Sequence, residues 1–325
     1  MVHKKTVGSF AGGGAYGIGP CAWLVRLATA LQNLGFPSLQ GFFALFIGSS
    51  VGAIIAALLA CGFSPGQALA LFSQHLKGIF GTTRWQFRIL KKGAKYNDSY
   101  VTNLLQKTFG DRTMSQTDVP LFITAWDFRT KDLKVFGPTD TLVPIWYAVR
   151  CSMAATTFFA PMPGYRIVDG VFVIESSCRY GDGGFGANDP ALVGFDAGLV
   201  GNLLDMQDLR VLEIVTTGLN PERKPVDPNA FILGALEDQV LPAITSGNSS
   251  MTNHHLVSWI TSLGGSKESI LRIRPPCLDN DMDNLKIVEP VRRLWESQFD
   301  ADECAVVQFF TDTMPKDDMG PEVQV

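Results

Sequence analysis

Between Leu27 and Leu76 the chain carries no Asp, Glu, Lys or Arg. A run of that length without charge has few folded outcomes. Residues 41–63 alone exceed the roughly 20 residues an apolar helix needs to cross a bilayer, so a membrane span is one reading. The other is an internal layer of an α/β protein, and three features favour it. Gly48, Ser49, Ser50, Val51 and Gly52 interrupt the run. No basic cluster flanks it, as it would flank a span. Residues 42–47 and 51–61 read as a buried strand and then a buried helix, an alternation that suits a sheet covered on both faces.

Composition narrows the class. The chain has 325 residues, 46% hydrophobic and 18% charged, with a net charge of −4. That is enough apolar surface for a sizeable core and excludes disorder for most of the chain. The mildly acidic balance argues against nucleic acid as a partner, which needs a basic footprint. Cys21, Cys61, Cys151, Cys178, Cys277 and Cys304 are scattered without paired or zinc-type spacing, and read as reduced core thiols of a cytoplasmic protein. His254 and His255 are adjacent and point apart, so no metal site is expected. Lys4 and Lys5 precede an apolar stretch, but Gly12, Gly13 and Gly14 stand where a signal peptide's helix would be.

Punctuation by Gly and Pro predicts the order of elements. A strand at residues 6–10 leads through a glycine loop to a helix at 20–34, with Pro20 in its first turn and Gly35 beyond its end. The buried strand and helix follow, then a helix at 65–76. Ser99 is expected to cap a helix that Gly110 stops after Phe109. Further strands are predicted at 121–126, 133–136, 211–216 and 270–273, with a helix at 144–155. A hairpin of 165–168 and 171–174 turns at Asp169 and Gly170. Residues 84–95 mix Arg and Lys with Trp85 and Phe87, a solvated face or a patch that meets anionic headgroups. The tail beyond Met314 is expected to be disordered.

Strand, sharp turn and helix around Gly48 to Gly52 is the context that gives a G-x-S-x-G match chemical meaning. The turn is so tight that the residues two before and two after the nucleophile approach each other, and both must lack a Cβ. Ser50 has Gly48 and Gly52 at those positions, whereas Ser49 would have Ile47 and Val51. Ser50 is therefore the candidate nucleophile. Its place at a helix N-terminus favours developing negative charge.

Gly12, Gly13, Gly14, Ala15, Tyr16 and Gly17 also lie between a strand and a helix. Gly12, Gly14 and Gly17 satisfy the dinucleotide fingerprint, but the acidic residue about 20 positions later that holds a ribose is missing. The Gly-Lys-Ser/Thr of a phosphate loop is missing too. The remaining reading is an oxyanion hole, with the amides of Gly12, Gly13 and Gly14 directed to a point beside Ser50. No cofactor is expected.

A serine needs a group to take its proton. His3, His75, His254 and His255 lie in no recognisable motif. Asp182 heads the glycine turn Gly181, Asp182, Gly183, Gly184, followed by Asn188, Asp189 and Pro190, and an apolar pocket would raise its pKa toward that of a useful base. Asp169 is the competitor, which a hairpin turn explains fully.

Residues 12–20, 48–52 and 182–190 resemble the three signature motifs of the patatin-like phospholipase family, in the family's chain order. Residues 95–99, 148–161 and 215–218 are similar to further family landmarks, and the resemblance covers about residues 5–274. It implies a three-layer α/β/α fold with a mostly parallel sheet. It also implies a lipid acyl hydrolase with a Ser50–Asp182 dyad acting without histidine or metal. Gly13 and Gly14 would hold the oxyanion, and Gly17, Gly48, Gly52, Gly183 and Gly184 would serve as motif glycines. The substrate would be a phospholipid or another acyl ester, met by peripheral membrane contact. On that resemblance, residues 5–275 would form the acyl hydrolase domain, and 276–325 a helical extension with the tail, part of the same domain.

Three departures matter. Tyr16 stands where the family usually has Arg or Lys, which bears on the choice between phospholipids and neutral lipids. Asn188-Asp189-Pro190 replaces Asn-Asn-Pro, and the stretch 165–179 is longer than usual. A catalytically degenerate lipid-binding protein, an acyltransferase using the same acyl-enzyme, and a Ser-His-Asp triad are the alternatives.

Overall fold

The structure is a computed structural model that describes residues 6–81, 94–156, 158–205, 209–216, 241–275 and 282–311. Its frame is an eight-stranded sheet. β1 (Thr6–Phe10), β2 (Phe43–Ser49), β3 (Leu121–Asp127), β7 (Arg210–Ile214) and β8 (Ile270–Ile273) form the parallel part, in the order β3-β2-β1-β7-β8. β4 (Asp132–Phe136) and β6 (Val171–Asp182) run antiparallel to β3, and β5 (Met162–Val168) completes a hairpin with β6.

Two apolar layers cover the sheet. Along β2, Leu45 and Ile47 enter one layer while Phe46 enters the other, the period-two alternation of a strand buried on both faces. The smaller layer holds Phe195 of α6 (Ala191–Val200) and Leu256 and Ile260 of α7 (Leu241–Ser262). On the larger side lie α1 (Ile18–Asn33), α2 (Val51–Ala60), α3 (Pro65–Phe80), α4 (Ser99–Phe109), α5 (Ile145–Ser152) and α8 (Val288–Thr311). The fold is therefore three-layered α/β/α.

The charge-free run resolves into β2 and α2. Every residue of both is buried, which is where a helix apolar on all sides belongs. Among the described residues no helix is long and apolar enough to cross a membrane. α3 starts on a capping box, Ser64 with Gln67, and Pro65 follows the cap. α8 packs along α1: a Cβ at Gly19 would meet the Trp295 ring at 2.3 Å, and Trp23 and Phe299 meet edge to face.

Several expectations are corrected. Ser99 is the first residue of α4 rather than its cap. The N-cap is Asp98, whose carboxylate is drawn away to Arg150, while Asn97 Oδ1 accepts the Ser99 amide. β6 continues eight residues past Ile174, to Asp182. Cys21, Cys61 and Cys151 are buried free thiols, but Cys178 and Cys304 are exposed and not core residues. Lys4 and Lys5, the basic and aromatic residues 84–92, Cys277, Gly218 and the tail beyond Met314 lie outside the described residues.

Candidate active site

Ser50 links β2 to α2 and is the N-cap of that helix, at φ 52° and ψ −124°. A non-glycine residue at positive φ is strained and persists only where its surroundings enforce it. Here they do so through backbone. A Cβ on Gly48 would meet the Gly52 carbonyl oxygen at 2.3 Å, and one on Gly52 would meet the Phe10 carbonyl oxygen at 2.1 Å. Neither contact can yield, so both positions require glycine. Ser49, by contrast, is wholly buried and is not among the residues lining the cleft.

Asp182 ends β6, and Ser50 Oγ donates to its Oδ2 at 2.7 Å. The other carboxylate oxygen accepts the Gly184 amide at 2.7 Å. The Asp182 amide donates to the Ala154 carbonyl at 3.0 Å and the Gly183 amide to the Ser152 carbonyl at 3.1 Å, which ties Asp182 to the end of α5. Burial pushes the Asp182 carboxyl up to about 6, while the Ser50 hydroxyl, the Gly184 amide and the Arg150 guanidinium act in the opposite direction. A carboxylate placed there holds a proton more readily than a solvated one.

The glycine loop lies against this pair, with one correction. The Gly12 amide donates to the Asn188 carbonyl at 3.0 Å, so it is committed and not an oxyanion donor. Gly12 is needed for close approach instead, since a Cβ there would meet Asn188 Oδ1 at 2.5 Å and Ser50 Cβ at 3.0 Å. Gly13 and Gly14 do line the cleft, and no backbone carbonyl among the described residues takes their amides. Gly14 has φ 57°, and a Cβ would meet the Met282 carbonyl oxygen at 2.3 Å. Gly17 lies under Val51, Gly183 under Thr124 and Ser49, and Gly184 lines the cleft beside Asn188.

The cleft encloses about 790 Å³, counting space open to solvent. Val51, Phe80, Met153, Phe158, Phe159 and Phe185 give it apolar walls. Its rim includes a residue pair the sequence did not single out. The Met282 carbonyl accepts the Ala15 amide at 2.6 Å, and Asp283 is held by the Tyr96 hydroxyl and by Lys95 Nζ at 2.7 Å. Tyr16 is 3% exposed and belongs to the core, so its side chain does not occupy the place of a basic contact in the cleft.

The loop after Asp182 is anchored from behind. Asp189 accepts from Ser249 Oγ at 2.8 Å and pairs with Arg272 at 3.4 Å, and Arg272 also meets Glu213 at 3.2 Å. Asp169 sits at φ 51° beside Gly170 at φ 79°, the two-residue hairpin turn its sequence suggested. His75 is bonded to Tyr100, and His254 and His255 are exposed on α7; no described histidine lines the cleft. Among the described residues no His, Cys, Asp and Glu cluster could hold a metal ion.

The chain is similar to the cUMP-AMP-activated phospholipase of Escherichia coli, 28% identical over 227 residues that cover 66% of this chain and 65% of the relative. It thus spans just under two thirds of that protein's length. It is 26% identical to patatin-like protein 1 of Arabidopsis thaliana over 320 residues, 87% of this chain and 77% of the relative. The crystal structure of VipD from Legionella pneumophila covers 96% of this chain and 67% of its own, at 14% identity and a TM-score of 0.45. The patatin-like phospholipase sequence profile matches residues 8–194, which include Gly13, Gly14, Ser50 and Asp182. On that match, the chain belongs to the patatin-like phospholipase family.

Proposed function

We propose that the protein is a lipid acyl hydrolase that cleaves fatty-acyl esters through a Ser50–Asp182 dyad. The observation that carries this reading is the 2.7 Å bond from Ser50 Oγ to Asp182 Oδ2 at the floor of an apolar cleft. Phe80, Phe158 and Phe159 offer an acyl chain a dry wall, while the ester lies over Ser50.

The steps follow from the geometry. Ser50 Oγ attacks the ester carbonyl as its proton passes to Asp182. The amides of Gly13 and Gly14 take the charge that forms on the carbonyl oxygen, a contribution of roughly 3 kcal/mol per donor. The tetrahedral intermediate collapses, the proton on Asp182 goes to the leaving alcohol, and the acyl group stays on Ser50. A water then gives its proton to Asp182 and attacks the acyl-enzyme. Collapse releases the fatty acid and returns the proton to Ser50. A buried carboxyl near 6 is suited to both directions of transfer, being ionised at neutral pH yet basic enough to accept. Contact with the lipid is peripheral, with the substrate ester drawn into the cleft.

The test is release of fatty acid from phosphatidylcholine vesicles and from a triacylglycerol emulsion. The wild-type chain releases fatty acid, and Ser50→Ala lowers kcat by on the order of 10⁴-fold or more. Turnover retained by Ser50→Ala would end the reading. Binding of lipid without turnover would make the protein a lipid binder.

A further inference from the structure

The nucleophile's own amide is not free to serve the reaction. Ser50 N–H donates to Ser152 Oγ at 2.8 Å, and Ser152 is wholly buried. The first amides of a helix normally look outward for a partner, and at Ser50 that partner is a side chain from the far end of α5. The same turn grips the base, through the Ser152 carbonyl on the Gly183 amide and the Ala154 carbonyl on the Asp182 amide. One short stretch of chain, residues 152–154, therefore touches the backbone of both dyad members.

We propose that Ser152 is a positioning residue that sets the Ser50–Asp182 alignment. Its hydroxyl accepts the amide of a residue held at φ 52°, and its carbonyl accepts the amide that follows Asp182. A nucleophile at positive φ is enforced on one side by Gly48 and Gly52, which act by leaving room. Ser152 acts by attraction and fixes how far the turn rotates toward the carboxylate. It also commits the Ser50 amide, so charge on the carbonyl oxygen falls to Gly13 and Gly14. The inference rests on the acyl-hydrolase reading, since alignment matters only if Ser50 reacts.

Two variants test it. Ser152→Ala removes the acceptor, and Ser152→Cys nearly conserves volume while offering only a weak sulfur acceptor. Each is measured for Tm, for kcat and KM on a p-nitrophenyl ester, and for the rate of Ser50 labelling by a fluorophosphonate. Both variants lower kcat and the labelling rate, by about 10-fold to 100-fold for Ser152→Ala, because an error near 1 Å at the reacting atoms has that size. KM, set by the apolar cleft, stays within about twofold. Where Ser152→Ala does not fold, Ser152→Cys decides. A folded variant with a lower Tm but wild-type kcat and labelling rate makes Ser152 merely structural and overturns the inference alone. A wild-type chain that never labels at Ser50 overturns the acyl-hydrolase reading and this inference with it.

Discussion

Ser50 and Asp182 face each other across a single hydrogen bond, yet the chain holds them by different means. Around Ser50 the constraint is chiefly steric and close in sequence, Gly48 against Gly52 and Gly52 against the carbonyl of Phe10 on the neighbouring strand, with the Ser152 hydroxyl adding an attractive hold on its amide. Around Asp182 it is attractive and distant, with amides accepted by the end of α5 and a following loop fastened through Asp189 to Ser249 and Arg272. A steric constraint fails all at once when a methyl group is added. A set of hydrogen bonds and ion pairs fails by degrees. The Ser50 side is thus the more brittle half of the site, and the Asp182 side the more tunable.

The sharpest way to break the contrast is Gly52→Ala. Its methyl would lie 2.1 Å from a backbone oxygen, so the variant loses all ester hydrolysis and unfolds at a markedly lower temperature, by more than the ~1–3 kcal/mol of ordinary overpacking. A Gly52→Ala protein with wild-type Tm and turnover would show that the turn is looser than described.

Asp182→Asn comes next, with opposite effects on activity and stability. Activity falls by on the order of 10⁴-fold, as for the loss of other catalytic carboxylates. For stability, the folded carboxyl lies near 6, above its ordinary 3.8. Its contribution is therefore fully present below about pH 4 and is lost as pH rises through 6. Removing the ionisable group relieves that loss, so Asp182→Asn is more stable than wild type at pH 8 by up to about 3 kcal/mol. The gain vanishes by pH 4. Thermal melts across that range check the sign.

The same displaced carboxyl sets an acid limb on the wild-type kcat/KM profile, with a midpoint near pH 6 and the active form above it. A limb near 4 would mean that the base is solvated during turnover.

The smallest effect on activity is expected at Glu213, behind Asp182. Burial first, and then Asp189 beside it, push its carboxyl well above the usual carboxylate range. The folded carboxyl keeps its proton to higher pH than the unfolded one does, so at neutral pH Glu213→Gln is more stable than wild type, as Asp182→Asn is, and, lying outside the cleft, it leaves turnover unchanged. A raised carboxyl contributes stability that is lost as pH climbs, so wild type weakens at alkaline pH and the glutamine variant resists that change. Equal alkaline melting curves would show that Glu213 is ionised already.

The brittle half was also the legible half. The elbow is written in glycines at fixed offsets, and the charge-free run, read as an internal layer, divides at that elbow into strand and helix. Asp182 is a candidate for a related reason, because its glycine turn signals close backbone approach. What gathers around it was not visible. Residues 175–182 read Glu-Ser-Ser-Cys-Arg-Tyr-Gly-Asp, with too little apolar alternation to announce the strand that delivers the base. Ser152 is one small polar residue in a helix end, and nothing local reveals that it meets the amide of Ser50. Three glycines in a row suggested three oxyanion donors, but only the partner carbonyl on Asn188 shows that Gly12 is spent elsewhere. No motif in the sequence marks Asp283, which Lys95 and Tyr96 hold at the rim.

The central claim is that Ser50 is a nucleophile because Asp182 takes its proton. Peptide mapping after fluorophosphonate treatment of the wild-type chain and of Asp182→Asn tests it most directly. The account predicts one adduct, on Ser50, formed at least about 100-fold more slowly without the carboxylate. An adduct on another serine, or equal labelling of the two proteins, would contradict it.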